Sequence, residues 1–256
     1  MRVIIGTSGW HYRDWKQRFY PETIPQREWL AFYAESFITV ESNNAFYRLP
    51  EGERFAAWTQ STPADFIMAV KMSRYLTHIK RLRDPAEPVA RFLERAQHLG
   101  GKLGPVLLQL PPTLRADHDL LHDTLKRFPK DVRVAVEFRH TSWWSDATRS
   151  LLDKHGAALC LADRDSKPLT PLWCTAEWTY LRLHAGAATP APCYGRSALA
   201  TWTERLRTDF ADVDAYVYFN NDPGCCAVRD ARWFAQEATK RGLDVTRTPA
   251  HPVRPG

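Results

Sequence analysis

The 256 residues are 44% hydrophobic and 25% charged, ordinary globular proportions that exclude a disordered, collagen-like or coiled-coil chain. Thirty-five Lys and Arg against 29 Asp and Glu leave a net charge of +6, a mild bias towards anionic partners such as phosphates, nucleic acid or acidic metabolites. No run reaches roughly 18 consecutive apolar residues, which excludes a membrane-spanning helix, and MRVIIGTSGW lacks the long apolar core of a signal peptide, so a cytoplasmic location is expected.

In chain order, eight short apolar runs have strand length: Val3–Thr7, Ile38–Glu41, Phe66–Lys71, Val106–Leu110, Val132–Phe138, Ala158–Asp163, Thr179–His184 and Ala215–Asn220. Stripes of helical period separate most of them. Trp29, Leu30 and Tyr33 form one; Val89, Phe92, Leu93, Ala96 and Leu99 form another, stopped by Gly100–Gly101. Leu120, Leu121, Leu125 and Phe128 form a third, Leu199, Trp202 and Leu206 a fourth, and Ala231, Phe234, Ala235 and Ala238 the last. Strands alternating with helices pair in parallel through right-handed crossovers, and eight such units close a (β/α)8 TIM barrel. The expected fold is therefore α/β, a single-domain barrel over 1–243. An open doubly wound sheet is the alternative, but GTSGW is no dinucleotide-binding fingerprint.

The sixth unit breaks the pattern. RDSKPLTPLWCTAE (164–177) holds two prolines and no helical stripe, so one barrel helix, after strand six, is expected to be missing or very short. AGAATPAPCYG (185–195) reads as a loop on the functional face. The Pro-rich tail 244–256 is expected to be disordered. Of five cysteines, none forms C-x-x-C, the odd count argues against a full disulfide framework, and the Cys225–Cys226 pair has no evident role.

Strand side chains alternate faces with period two. With the more uniformly bulky set assigned to the helices, the inward sets are Thr39, Glu41 and Asn43; Ala69 and Lys71; Leu107 and Gln109; Ala135, Glu137 and Arg139; Tyr180, Arg182 and His184; and Tyr216, Tyr218 and Asn220. Strand six ends at Asp163. Polar and ionisable groups thus gather at the carboxyl ends, where barrels of this type hold their sites. A plainer reading makes Glu41, Lys71, Glu137 and Arg182 an internal salt-bridge network, because buried charges must be paired.

The segments GTSGWHYRDWKQRFYP (6–21), TVESNNAFYRLP (39–50), FIMAVKMSRYLTH (66–78), LGPVLLQLPP (103–112), VAVEFRHTSWW (134–144), YLRLHAG (180–186) and YVYFNNDPG (216–224) together resemble the YecE-like family, domain of unknown function 72. The resemblance covers nearly the whole chain in order and implies a TIM barrel, but no established reaction. The chain departs from the family pattern at Ala45, where threonine is common, and at His184-Ala185-Gly186, where the family reads His-Gly.

Three kinds of chemistry fit the ring. A divalent metal would find ligand types in His11, Glu41, His78, Glu137, His140, Asp163 and His184, but at no diagnostic spacing, and a metal is not favoured. His118 and His122 lie four apart on a charged helix face and read as surface residues. Metal-free acid–base chemistry would use Glu41 and Glu137 as a carboxylate pair, with Lys71 and His184 as further catalytic candidates. Lys71 in a Schiff base is weighed against simple pairing with Glu41 or Glu137, and pairing is preferred. Arg139, Arg182 and His184 would grip a phosphate or carboxylate, while Tyr12, Asn43, Gln109, His140, Asp163, Asn220 and Asn221 complete the expected substrate contacts. A nucleic-acid binder is the third reading, because Trp10, Tyr12, Trp15, Phe46, Tyr47, Trp143, Trp144 and Tyr194 fall on the same loops; most of Trp10, Trp15 and Trp143 are expected to pack the rim instead. The expected function is action on a phosphorylated or otherwise anionic substrate in a polar pocket.

Overall fold

A computed structural model describes residues 1–253. The eight apolar runs form eight parallel strands: β1 (Arg2–Thr7), β2 (Thr39–Ser42), β3 (Ile67–Lys71), β4 (Leu103–Gln109), β5 (Val134–Glu137), β6 (Ala158–Arg164), β7 (Trp178–Ala185) and β8 (Asp214–Phe219). They lie in the order β1-β8-β7-β6-β5-β4-β3-β2, a curled α/β barrel sheet. The helices are α1 (Trp29–Ser36), α2 (Asn44–Tyr47), α3 (Gly52–Gln60), α4 (Ala86–Ala96), α5 (His118–Leu125), α6 (Asp146–Lys154), α7 (Arg196–Asp209) and α8 (Cys226–Lys240). No described helix is long and apolar enough to cross a membrane.

Period two sorts the strands' residues into two cores. Val3, Ile5, Val40, Val70, Val106, Leu108, Val136, Leu161, Leu181 and Val217 face the helices. Ile4, Ala69, Leu107, Ala135, Cys160, Trp178, Tyr180, Tyr216 and Tyr218 fill the barrel interior. Small residues from β3, β5 and β6 leave room for the large aromatics of β7 and β8.

One seam lacks a strand ladder. β1 and β2 pack together, yet no backbone pairing joins them among the described residues. A side chain at Gly6 would place its Cβ 2.3 Å from the Thr39 carbonyl oxygen, so only glycine permits this approach. The Tyr33 hydroxyl spans the seam: it accepts from the Thr7 amide at 2.9 Å and donates to the Thr39 carbonyl at 3.0 Å. At the other end of β1, Asp244 and Val245 pair with Arg2 and Val3, and the Thr246 hydroxyl accepts from the Ile5 amide at 3.1 Å. The expected disordered tail is therefore corrected for 244–253: β1 has a free edge that this segment fills, Arg247 reaches Asp65 and the Ala34 carbonyl, and Val253 is buried. Residues 254–256 of that tail lie outside the described residues.

Between β6 and β7 there is no helix. Lys167–Pro168 folds back on β6, with Asp165 and Ser166 at positive φ in the turn. Threonine side chains then take over the edge of β6. Thr170 accepts from the Ala162 amide (3.2 Å), and Thr175 accepts from the Leu159 amide (2.9 Å) while donating to the Ala157 carbonyl (2.8 Å). β5 and β6 pair only at Ala135–Ala158 and Val136–Leu159, so their carboxyl ends separate. Cys193 and Cys226 form a disulfide that ties the 186–195 loop to the start of α8. Sequence counting missed it because one bridge in a five-cysteine chain leaves no framework to read.

Candidate functional site at the barrel mouth

The separation of β5 from β6 opens a cavity of about 320 Å³ at the carboxyl face, lined by Glu137, Arg139, Trp144, Ala162, Arg164 and His184 among others. Its floor is a buried ionic network. Arg182 on β7 donates Nη1 to Glu137 Oε2 at 2.6 Å and Nη2 to Glu41 Oε1 at 2.7 Å. The Tyr180 hydroxyl donates to Glu41 Oε2 at 2.6 Å. Gln109 Nε2 lies 3.0 and 3.1 Å from the two Glu137 oxygens, and Arg139 Nε donates to Glu137 Oε1 at 2.9 Å. Five of the expected groups, Glu41, Glu137, Gln109, Arg139 and Arg182, meet in this network.

Glu137 is fully enclosed, and burial alone would favour its protonated form. Arg182 and Arg139 outweigh that and hold its carboxyl well below the usual range. His184 Nε2 lies 3.3 Å from Glu137 Oε1 without an aligned hydrogen bond. Asn220 Nδ2 sits 3.0 Å from His184 Nδ1. With the Asn220 amide donating, the Nε2 tautomer is assigned and the imidazole is neutral, and burial lowers its pKa further.

Lys71 does not pair as the preferred expectation had it. No carboxylate lies within 4.0 Å of its Nζ among the described residues. Instead the ammonium stands over the Phe46 ring, 3.8 Å from its centroid. Burial first, then the nearby Arg182, lowers its pKa to about 8. His78 packs edge-on against the same ring at 5.0 Å and lies in a π-helical turn, Tyr75–Ile79, of the kind often found at functional sites. Burial and the Lys71 and Arg139 charges push His78 down to about 4.

The Tyr12 hydroxyl donates to the Ser8 carbonyl at 2.5 Å and neighbours Asp222, which the sequence reading missed. Asp222 Oδ1 is enclosed with no hydrogen-bond partner. Burial raises this carboxyl to about 8, against the opposing pull of Tyr12 and Arg182. The signal was present: Tyr216, Tyr218, Asn220 and Asp222 share one parity, so the inward face continues past the strand. Asn43 also keeps a buried Oδ1 with no partner.

Three expected residues are not brought to the network. Asp163 accepts from Trp202 Nε1 at 2.7 Å and the Tyr194 hydroxyl at 2.9 Å, on the helix side of the sheet. Its parity matches Leu159 and Leu161, opposite to the inward Cys160. Asn221, opposite in parity to Asn220, donates to Asp230 at 2.7 Å and the Pro192 carbonyl at 3.2 Å. His140 Nδ1 accepts from the Ser142 amide at 3.1 Å and caps a turn. Of the aromatic rim, Trp10, Trp15, Trp143 and Tyr194 are buried packing, while Tyr47 is 76% exposed. Among the described residues no three His, Cys, Asp or Glu side chains converge as metal ligands.

A family model, "Protein of unknown function DUF72", matches residues 4–254. The chain belongs to the DUF72 family. A DUF72 structure from Thermotoga maritima is 27% identical, with a TM-score of 0.80, over 92% of this chain and 98% of that one. One from Enterococcus faecalis is 20% identical, with a TM-score of 0.78, over 93% and 95%. A xylose isomerase-like TIM barrel fused to a 4-hydroxyphenylpyruvate dioxygenase shares the fold at 14% identity and a TM-score of 0.50, over 99% of this DUF72 chain and 46% of that protein. No curated protein matches.

Proposed function

We propose that the mouth of this DUF72 barrel binds a small anionic metabolite, a carboxylate or phosphate, and acts on it by metal-free acid–base chemistry. The observation that carries the reading is Lys71: a buried ammonium without a carboxylate within 4.0 Å, because Arg182 occupies both Glu41 and Glu137. The network balances two carboxylates against Arg182 and Arg139, and Lys71 is the charge left over. Arg139 spends only its Nε on Glu137 and is 36% exposed at the cavity, where its fork suits a planar anion.

The roles follow from the surroundings. Glu41 and Glu137 hold and orient Arg182; Glu137, kept ionised by Arg182 and Arg139, is a poor proton donor. Asp222, protonated at neutral pH, is the acid, and neutral His78 is the base; His184, with Nδ1 accepting from Asn220 and its proton on Nε2, is a hydrogen-bond donor. Gln109, Tyr12, Asn43 and Asn220 position the ligand. A nucleic-acid binder would instead need an extended basic groove and steep salt dependence; a cavity of about 320 Å³ suits a small metabolite.

Calorimetric titration with inorganic phosphate and with glycolate tests the reading. Binding is expected to weaken about tenfold or more in Lys71→Met and in Arg139→Met, the loss of one charge-assisted contact. Unchanged affinity in both variants would overturn it, as would a short single-stranded oligonucleotide binding more tightly than either anion.

A further inference from the structure

We propose that Lys71 is a nucleophile that condenses with the carbonyl carbon of a small anionic aldehyde or ketone held in the mouth, forming an imine. The proposal rests on the anion-binding reading above and names its substrate class: an oxo acid or a phosphorylated carbonyl compound.

Position comes first. Lys71 is the last residue of β3, shares the inward parity of Ala69 at the carboxyl end of the barrel, and is only 8% exposed. A buried lysine is ordinarily held as an ammonium by a carboxylate. Here Glu41 and Glu137 are both engaged by Arg182, and the Lys71 Nζ makes no hydrogen bond or ion pair among the described residues. Its contact is the Phe46 face, a weak and exchangeable partner beside a carboxylate. The groups facing it are Arg182, Glu41, Glu137, Arg139 and His78. The cations Arg182 and Arg139 disfavour a second positive charge, and burial acts in the same direction, so a usable fraction of neutral amine exists near pH 7.

The step balances without a co-reactant. The neutral amine adds to the carbonyl carbon; a C–N bond forms as the C=O π pair moves to oxygen. The oxygen is protonated, and the carbinolamine loses it as water, so both Nζ protons leave in that water. A further proton converts the imine to the iminium. Neutral His78, which packs edge-on against the same Phe46 ring, and the protonated Asp222 carboxyl are the groups suited to carry these protons.

Reductive trapping tests the proposal on the intact protein. Glyoxylate with cyanoborohydride leaves a carboxymethyl group on any lysine that forms an imine, and peptide mass spectrometry locates it. Glycolaldehyde, similar in size but neutral, is the companion probe. Lys71 is expected to be labelled about tenfold faster at pH 7 than the exposed Lys126 and Lys240, as its lower pKa allows. Glyoxylate should label it faster than glycolaldehyde, and inorganic phosphate should slow the reaction. Lys71→Arg should keep the melting-temperature rise given by phosphate and lose the fast label. Labelling of Lys71 no faster than Lys126 overturns the nucleophile; if phosphate still raises the melting temperature, the anion pocket survives that failure. Fast labelling of Lys71 by both aldehydes alike keeps the nucleophile and overturns the anion pocket. The competition within the wild-type protein decides even if Lys71→Arg fails to fold.

Discussion

Asp222 is a residue whose presence the fold opposes. Its carboxyl ionises near pH 4 in an unfolded chain but at about 8 in the folded one. Between those values the folded state binds a proton that the unfolded state does not, so this group makes stability fall as pH rises from about 4 to about 8. Asp222→Asn removes that dependence while keeping a polar group beside Tyr12. The variant should melt higher than the parent, by more at pH 8 than at pH 4.5, and lose turnover of any substrate. A melting difference that is equal at the two pH values would sink this account. Glu137 behaves oppositely: its lowered pKa gives stability above about 4.3 that is lost in stronger acid.

Among elements, the β1–β2 seam is closed by a side chain in place of a ladder. Tyr33→Phe keeps the aromatic packing on Phe37 but strands the Thr7 amide and weakens the hold on the Thr39 carbonyl. The expected cost is about 1–3 kcal/mol in urea denaturation, the penalty for a buried polar group left unpaired, with faster hydrogen exchange at Thr7. Wild-type stability and exchange in this variant would mean that packing alone closes the seam. The strands and the helix missing after β6 were legible in the sequence because both are matters of period and proline placement. The seam was not, since nothing in the period of Val3–Thr7 says which neighbour a strand lacks. Parity, applied strictly, would have excluded Asp163 and Asn221 and admitted Asp222.

On the scale of the whole molecule, Glu41 meets Arg182 and Tyr180 at the mouth from more than a hundred positions away. The sequence supplied the ring's members but not their pairings, and so left Lys71 to be matched with a carboxylate that Arg182 in fact takes. Long-range covalent linkage was equally hidden. The Cys193–Cys226 bridge closes a loop with a separation of 33 residues, which contributes about 2–4 kcal/mol by restricting the unfolded chain. Reductant should therefore lower the denaturation midpoint, and Cys226→Ser should reproduce the shift and abolish any further effect of reductant. A midpoint indifferent to reductant would argue that the two thiols are not bridged in solution.

The seam also bears on how the chain is made. β1 leaves the ribosome before the rest of the barrel, yet its ladder partners, residues 214–219 and 244–245, emerge after every other barrel strand. For nearly the whole of synthesis, Arg2–Thr7 is an apolar strand with two unsatisfied edges, open to pairing with other chains. Closure of the barrel therefore waits for residues 214–219 and 244–245, and a folding helper that shields Arg2–Thr7 until then should raise the yield of folded protein.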